Sequence, residues 1–183
     1  MPANYDDQVV KKHLIKLLES CVPQLTKVLA THFGTEDGVV EYYPRDMELT
    51  NMDWLIDPEG LYQLLVRLSH DAPGLPLYIT ENGRAAEDYP NPDGRVDDLE
   101  RIKFLHQHLE ACARAVRDGV NLAGYYVWSL LDNFEWAYGY QKRFGIVYVD
   151  FPSGRRIPKA SSAFFARVAS ENAVPALPAA WPV

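Results

Sequence analysis

Two short stretches of this 183-residue chain carry side chains suited to chemistry on a polar substrate. The first is Tyr78-Ile79-Thr80-Glu81-Asn82-Gly83, where Glu81 follows an apolar run and precedes a long polar loop. In βα architectures the catalytic groups sit at the carboxyl ends of strands, where a carboxylate has no default backbone partner and can face a cleft. A strand-end glutamate is equally an ordinary solvated side chain, and position alone leaves both readings open. The second stretch is Trp128-Ser129-Leu130-Leu131-Asp132-Asn133-Phe134-Glu135-Trp136, again following an apolar run. Sugars present C–H faces that pack on indole rings and hydroxyls that seek carboxylate acceptors. Two tryptophans around Glu135 therefore suit a pyranose, although an aromatic core with one surface glutamate has the same composition.

Other chemistries find little support. His13, His32, His70, His106 and His108 show no His-x3-His spacing, no Cys-x2-Cys pair occurs, and His106 and His108 face different sides of a helix. No metal site is expected. Phosphate-loop and dinucleotide signatures are missing, so no cofactor is implied. Ser129, Ser161 and Ser162 lack a Gly-x-Ser-x-Gly setting. Cys21 and Cys112 read as two reduced, partly buried thiols rather than a disulfide framework. The formal charge is −7 and the 18 basic residues form no block, which argues against nucleic acid or an anionic membrane as partner. No run of 18 apolar residues predicts a membrane span, and the N-terminal Met-Pro-Ala-Asn-Tyr-Asp-Asp has no secretory pattern, so a cytoplasmic location is expected.

The elements that must position Glu81 and Glu135 follow from periodicity. Residues 6–22 read as an amphipathic helix through Val10, Leu14, Leu17, Leu18 and Cys21, and Pro23 ends it. Leu25, Val28 and Leu29 suggest a second short helix, and Val39 to Tyr43 a short strand. Asp57 caps a helix whose buried face is Leu61, Leu64, Leu65 and Leu68. Leu75 to Thr80 is a buried strand, and Gly83 to Asp97 a polar loop. Asp97 or Asp98 starts a helix lined by Leu99, Ile102, Leu105, Leu109, Cys112 and Val116, closed at Gly119. Leu122 to Trp128 is a strand, Phe144 to Phe151 another, and a last helix runs from about Pro158 to Ser170. The helix–strand alternation from residue 57 predicts an α/β fold with βα units and a parallel sheet. The division expected is a helical segment over 1–45 and the βα part over 46–183.

Across roughly residues 50–165 the chain resembles the family-one glycoside hydrolases of the β-glucosidase type. The resemblance rests on Pro76 to Gly83, on Gly124 to Trp136, and on Gly139-Tyr140, Arg143-Phe144-Gly145, Val147 to Asp150 and Pro158-Lys159-Ala160-Ser161. It implies a partial (β/α)8 TIM barrel, about strands six to eight with their helices, behind a helical N-terminal segment. It implies that Glu81 is the nucleophile of a retaining β-glycosidase acting on terminal β-D-glucosides. Trp128 would lie under the sugar, Glu135 and Trp136 would bind its distal hydroxyls, and Phe144 would line the pocket. Asn82, Asp132 and Asn133 would be supports, and Trp128-Ser129 matches a position where the family has a cis peptide. Val40-Glu41-Tyr42-Tyr43 resembles the sixth-strand Asn-Tyr-Tyr, with Glu41 in place of Asn, which would put Tyr42 beside Glu81.

A retaining glycosidase also holds a second carboxyl roughly 5–5.5 Å from the nucleophile. The family carries it in a Thr-x-Asn-Glu-Pro motif, and this chain contains no Asn-Glu-Pro. Glu41, Glu87 and Asp88 are the stand-ins considered. A full barrel takes about 250 residues or more. Two expectations follow: self-association or a partner chain that covers open strand edges, or a non-catalytic carbohydrate-binding remnant.

Overall fold

The computed structural model describes residues 48–177. The expected elements of residues 1–45, together with Cys21, Glu41 and Tyr42, lie outside the described residues. Helix α1 spans Pro58–Asp71. The Asp57 carboxylate accepts from the Gly60 amide at 2.8 Å, and Pro58 occupies the first turn, where its missing N–H costs nothing. Strand β1, Leu77–Asn82, pairs in parallel with β2, Leu122–Val127. Helix α2, Leu99–Arg117, is the crossover between them. Strand β3, Val147–Asp150, forms an antiparallel hairpin with β4, Arg155–Pro158, and α3, Ala160–Glu171, follows. The protein is thus α/β, and among the described residues its strands form two two-stranded sheets.

The core lies between the β1–β2 pair and the helices. Leu65 of α1, Ile79 of β1 and Cys112 and Ala115 of α2 make one cluster. Phe104, Leu105 and Leu109 of α2 join Ile56 and Ile146 in a second, with Phe164 and Phe165 of α3 against it. Removing apolar surface of this kind from water contributes roughly 25 cal/mol per Å².

Several expectations are corrected. Leu64 is 43% exposed, so α1 buries a narrower stripe than Leu61, Leu64, Leu65 and Leu68. Val116 is exposed on the last turn of α2. β4 was not foreseen, because Arg155 and Arg156 are exposed and carry no apolar alternation. Pro158 pairs with Val147 instead of opening the last helix, and Lys159 stays extended, which moves the helix start to Ala160. The loop after β1 is polar in sequence but only partly solvated. Arg84, Ala85, Ala86, Asp88, Val96 and Asp98 are all buried.

Candidate functional site

Glu81 owes its direction to a break in the ladder. Ile79 pairs with Tyr125 and Asn82 with Val127, so three steps along β1 match two along β2. Ile79 is buried toward the helices, and strict alternation would send Glu81 the same way. The extra residue at Thr80-Glu81 re-aims it, as bulges next to binding sites do. Glu81 is exposed, and among the described residues its carboxylate has no hydrogen-bond or ion-pair partner.

The strand ends are locked together beside it. The Trp128 amide donates to the Asn82 carbonyl at 2.9 Å, and the Tyr125 hydroxyl donates to Asn82 Oδ1 at 2.6 Å. Burial pushes the Tyr125 phenol up, so it stays a donor. A Cβ on Gly83 would lie 1.6 Å from the Trp128 carbonyl oxygen, so only glycine lets the two chains meet this closely. The Trp128–Ser129 peptide is cis.

Glu81, Asn82, Gly83, Trp128, Glu135, Trp136 and Phe144 line one groove of about 470 Å³. Phe144 is 2% exposed and forms part of its floor, whereas Trp136 is 84% exposed. That exposure excludes a core role for Trp136. Its φ of 40° lies in the left-handed region that side-chain-bearing residues seldom adopt, an outlier of the kind that collects at functional sites. Asn133 does not line the groove; its amide nitrogen donates to Ser129 Oγ at 3.3 Å.

Sequence reasoning missed other walls. Thr50, Trp54, Leu55, Asp57 and Leu61 close one side, and Phe104 and His108 of α2 another. Trp54 is 52% exposed and its ring centroid is 6.0 Å from that of Phe144. A lone tryptophan in the irregular stretch 44–57 was the available signal. His108 is buried, with Nδ1 2.8 Å from the Phe104 carbonyl, and burial lowers its pKa, so it faces the groove as a neutral ring.

Of the acid stand-ins, Glu87 and Asp88 are not among the groove residues, and Glu41 lies outside the described residues. Asp88 is 5% exposed and held 2.7 Å from Arg101 and 2.6 Å from Lys159, so it cannot reach a substrate. Apart from Glu81, the groove carboxylates among the described residues are Glu135 and Asp57, and Asp57 is engaged as the cap of α1.

The family described as Glycosyl hydrolase family 1 matches residues 19–174. The matched span begins at residue 19, ahead of the motifs legible from about residue 50. A bifunctional beta-D-glucosidase/beta-D-fucosidase of Bifidobacterium breve is 45% identical over 154 residues, covering 82% of this chain and 33% of that protein. A 6-phospho-beta-galactosidase of Streptococcus equi subsp. zooepidemicus is 43% identical over 130 residues, 70% of this chain and 28% of that protein. The solved structure of the beta-glucosidase from Thermotoga maritima in complex with glucoimidazole aligns with a TM-score of 0.70 at 47% identity, over 73% of this chain and 30% of that one. The chain spans about a third of the length of these curated relatives.

Proposed function

The chain belongs to glycosyl hydrolase family 1, and from that premise we propose that its groove is the nucleophile-side half of a retaining β-glycosidase site. Glu81 attacks the anomeric carbon of the sugar, forming a carboxylate–C1 bond as the C1–O bond to the leaving group breaks. Water then releases the sugar from Glu81. Trp128 packs under the sugar ring, Glu135 and Trp136 take its distal hydroxyls, and Phe144 closes the floor. The observation that carries this reading is that a strand-end carboxylate, without a partner among the described residues, opens into the same groove as Trp128, Glu135 and Trp136.

The relatives act on neutral and on 6-phosphorylated sugars by name. A phosphate recruits Arg or Lys, and no Lys or Arg is among the described groove residues, which include the carboxylates of Glu81, Glu135 and Asp57. This lining favours an unphosphorylated β-glucoside or a close epimer.

Protonation of the leaving group needs a further carboxyl, and among the described residues Asp57 and Asp88 are both engaged elsewhere. In this reading β1 and β2 are strands seven and eight of a barrel. Among the described residues each has one paired edge, leaving the other edge open. Tyr78 and Tyr126 lie over Gly124 on one sheet face and are 55% and 59% exposed. That face and those edges suit the remaining strands of a family barrel, which would also bring the acid. A carbohydrate-binding remnant is the second reading, favoured by the locking of Asp88 in ion pairs.

A 2-fluoro aryl β-glucoside separates the two, because its good leaving group needs little protonation. Intact-mass analysis should show a covalent adduct that maps to Glu81 and disappears in Glu81→Gln. Reversible binding with no adduct would leave only the binding remnant, and an adduct retained in Glu81→Gln would remove Glu81 as nucleophile.

A further inference from the structure

Two loops that follow the groove strands, 83–98 after β1 and 128–146 after β2, are joined by a buried chain of charges, and the second of them carries Trp128, Glu135, Trp136 and Phe144 of the groove. Lys159 is 1% exposed, and its Nζ lies 2.6 Å from Asp88 Oδ2 in the first loop and 2.8 Å from Asp132 Oδ1 in the second. Arg101 is fully buried; it lies 2.7 Å from Asp88, pairs with Asp98, and donates at 2.7 Å to the Arg143 carbonyl. Arg143 reaches Asp132 Oδ2 at 2.7 Å, and the Gly145 amide donates to Asp132 Oδ1 at 3.0 Å. Three carboxylates therefore meet three cations.

Burial raises Asp98 and lowers Lys159, while at Arg101 the charges of Asp88 and Asp98 outweigh it. Apolar replacement of such networks is often neutral or stabilising, so stability is a weak reason for their presence. What this one provides is geometry. The backbone around Lys159 bonds to both loops as well: its amide donates to the Ile146 carbonyl, and that of Ala160 to Val96, each at 2.9 Å.

We propose that Lys159 is a positioning residue that sets the separation of the 83–98 loop, which follows the Glu81 strand, from the loop that carries Glu135 and Trp136, acting through Asp88 and Asp132. The inference rests on the glycosidase reading for what the groove grips, but not for the coupling of the loops. Lys159→Met is a fair test, because Asp88 keeps Arg101 and Asp132 keeps Arg143. The charge-balanced pair Asp88→Asn with Lys159→Met is the second variant, used if the single one fails to fold.

The measurements are hydrogen exchange across the whole chain and affinity for glucoimidazole. The expected result is faster exchange in both loops while α2 keeps its protection, with affinity lower by roughly 10–100-fold, since a misplacement of about 1 Å can cost that much. Faster exchange in only one loop would overturn the proposal. So would a lower melting temperature with loop exchange and affinity unchanged, which is what a purely structural lysine predicts. If the parent protein does not bind glucoimidazole, the glycosidase reading fails, and joint loosening of the two loops still decides the role of Lys159.

Discussion

Gly83→Ala tests the contact on which the shape of the groove depends. The added Cβ would sit 1.6 Å from the Trp128 carbonyl oxygen and 2.7 Å from its carbon, both backbone atoms that cannot rotate away. Ordinary contact begins near 3.4 Å, so the strand ends must part by about 1.8 Å. That movement breaks the 2.9 Å bond from the Trp128 amide to the Asn82 carbonyl, a loss of about 1 kcal/mol, and adds an overpacking cost of about 1–3 kcal/mol. The sum is a destabilisation of about 2–4 kcal/mol, read as a shift of the urea midpoint at unchanged slope. Glu81 and Trp128 flank the displaced peptides, so affinity for a sugar mimic should fall with stability. Gly94→Asn is the control. Gly94 has a φ of 82° and nothing within 4 Å of a Cβ, and asparagine accepts that backbone, so a change below about 0.5 kcal/mol is expected. If Gly83→Ala matches this control in stability and keeps full affinity, the close approach of the two strands is not what shapes the groove.

Trp136→Ala should weaken glucoimidazole binding while leaving unfolding within about 0.5 kcal/mol of the parent, because the ring is 84% exposed; a large loss of stability would return Trp136 to the core. Cys112 is 5% exposed, and burial raises its thiol from 9.0 to about 11. The folded state therefore holds the thiol proton more tightly than the unfolded state. The associated stability, about 2–3 kcal/mol at most, is complete below pH 9 and lost as pH rises from 9 to about 11. Denaturant midpoints measured across that window should fall less steeply for Cys112→Ala, and an identical slope would count against a buried thiol.

The parts of this molecule legible from sequence are those written in local pattern. The Asp57-Pro58 helix start, the strands around Ile79 and Tyr125 and the amphipathic α2 each follow from residues within a few positions of one another. Glu81, Trp128, Glu135, Trp136 and Phe144 are named by motif, and they line a common groove. The direction of Glu81 is a different matter. It depends on a bulge defined only by pairing with β2, more than forty positions downstream, and alternation along β1 alone points the side chain the wrong way.

The same distinction explains why the charged residues around the groove were misread. Asp88 and Arg84 stand in a stretch rich in Asn, Asp and Pro, which locally describes a solvated loop. Their burial is set by partners far away in sequence: Lys159 lies 71 residues from Asp88 and 27 from Asp132. A buried charge without a partner costs several kcal/mol, so each of these side chains can be inside only if the others are. Burial of the network is therefore a joint property of the two loops and of the segment that leads into α3. It also separates the paired carboxylates from those facing the groove. Paired Asp88 and Asp132 are withdrawn from reaction, while Glu81 and Glu135, whose carboxylates have no partner among the described residues, are the ones left facing the groove.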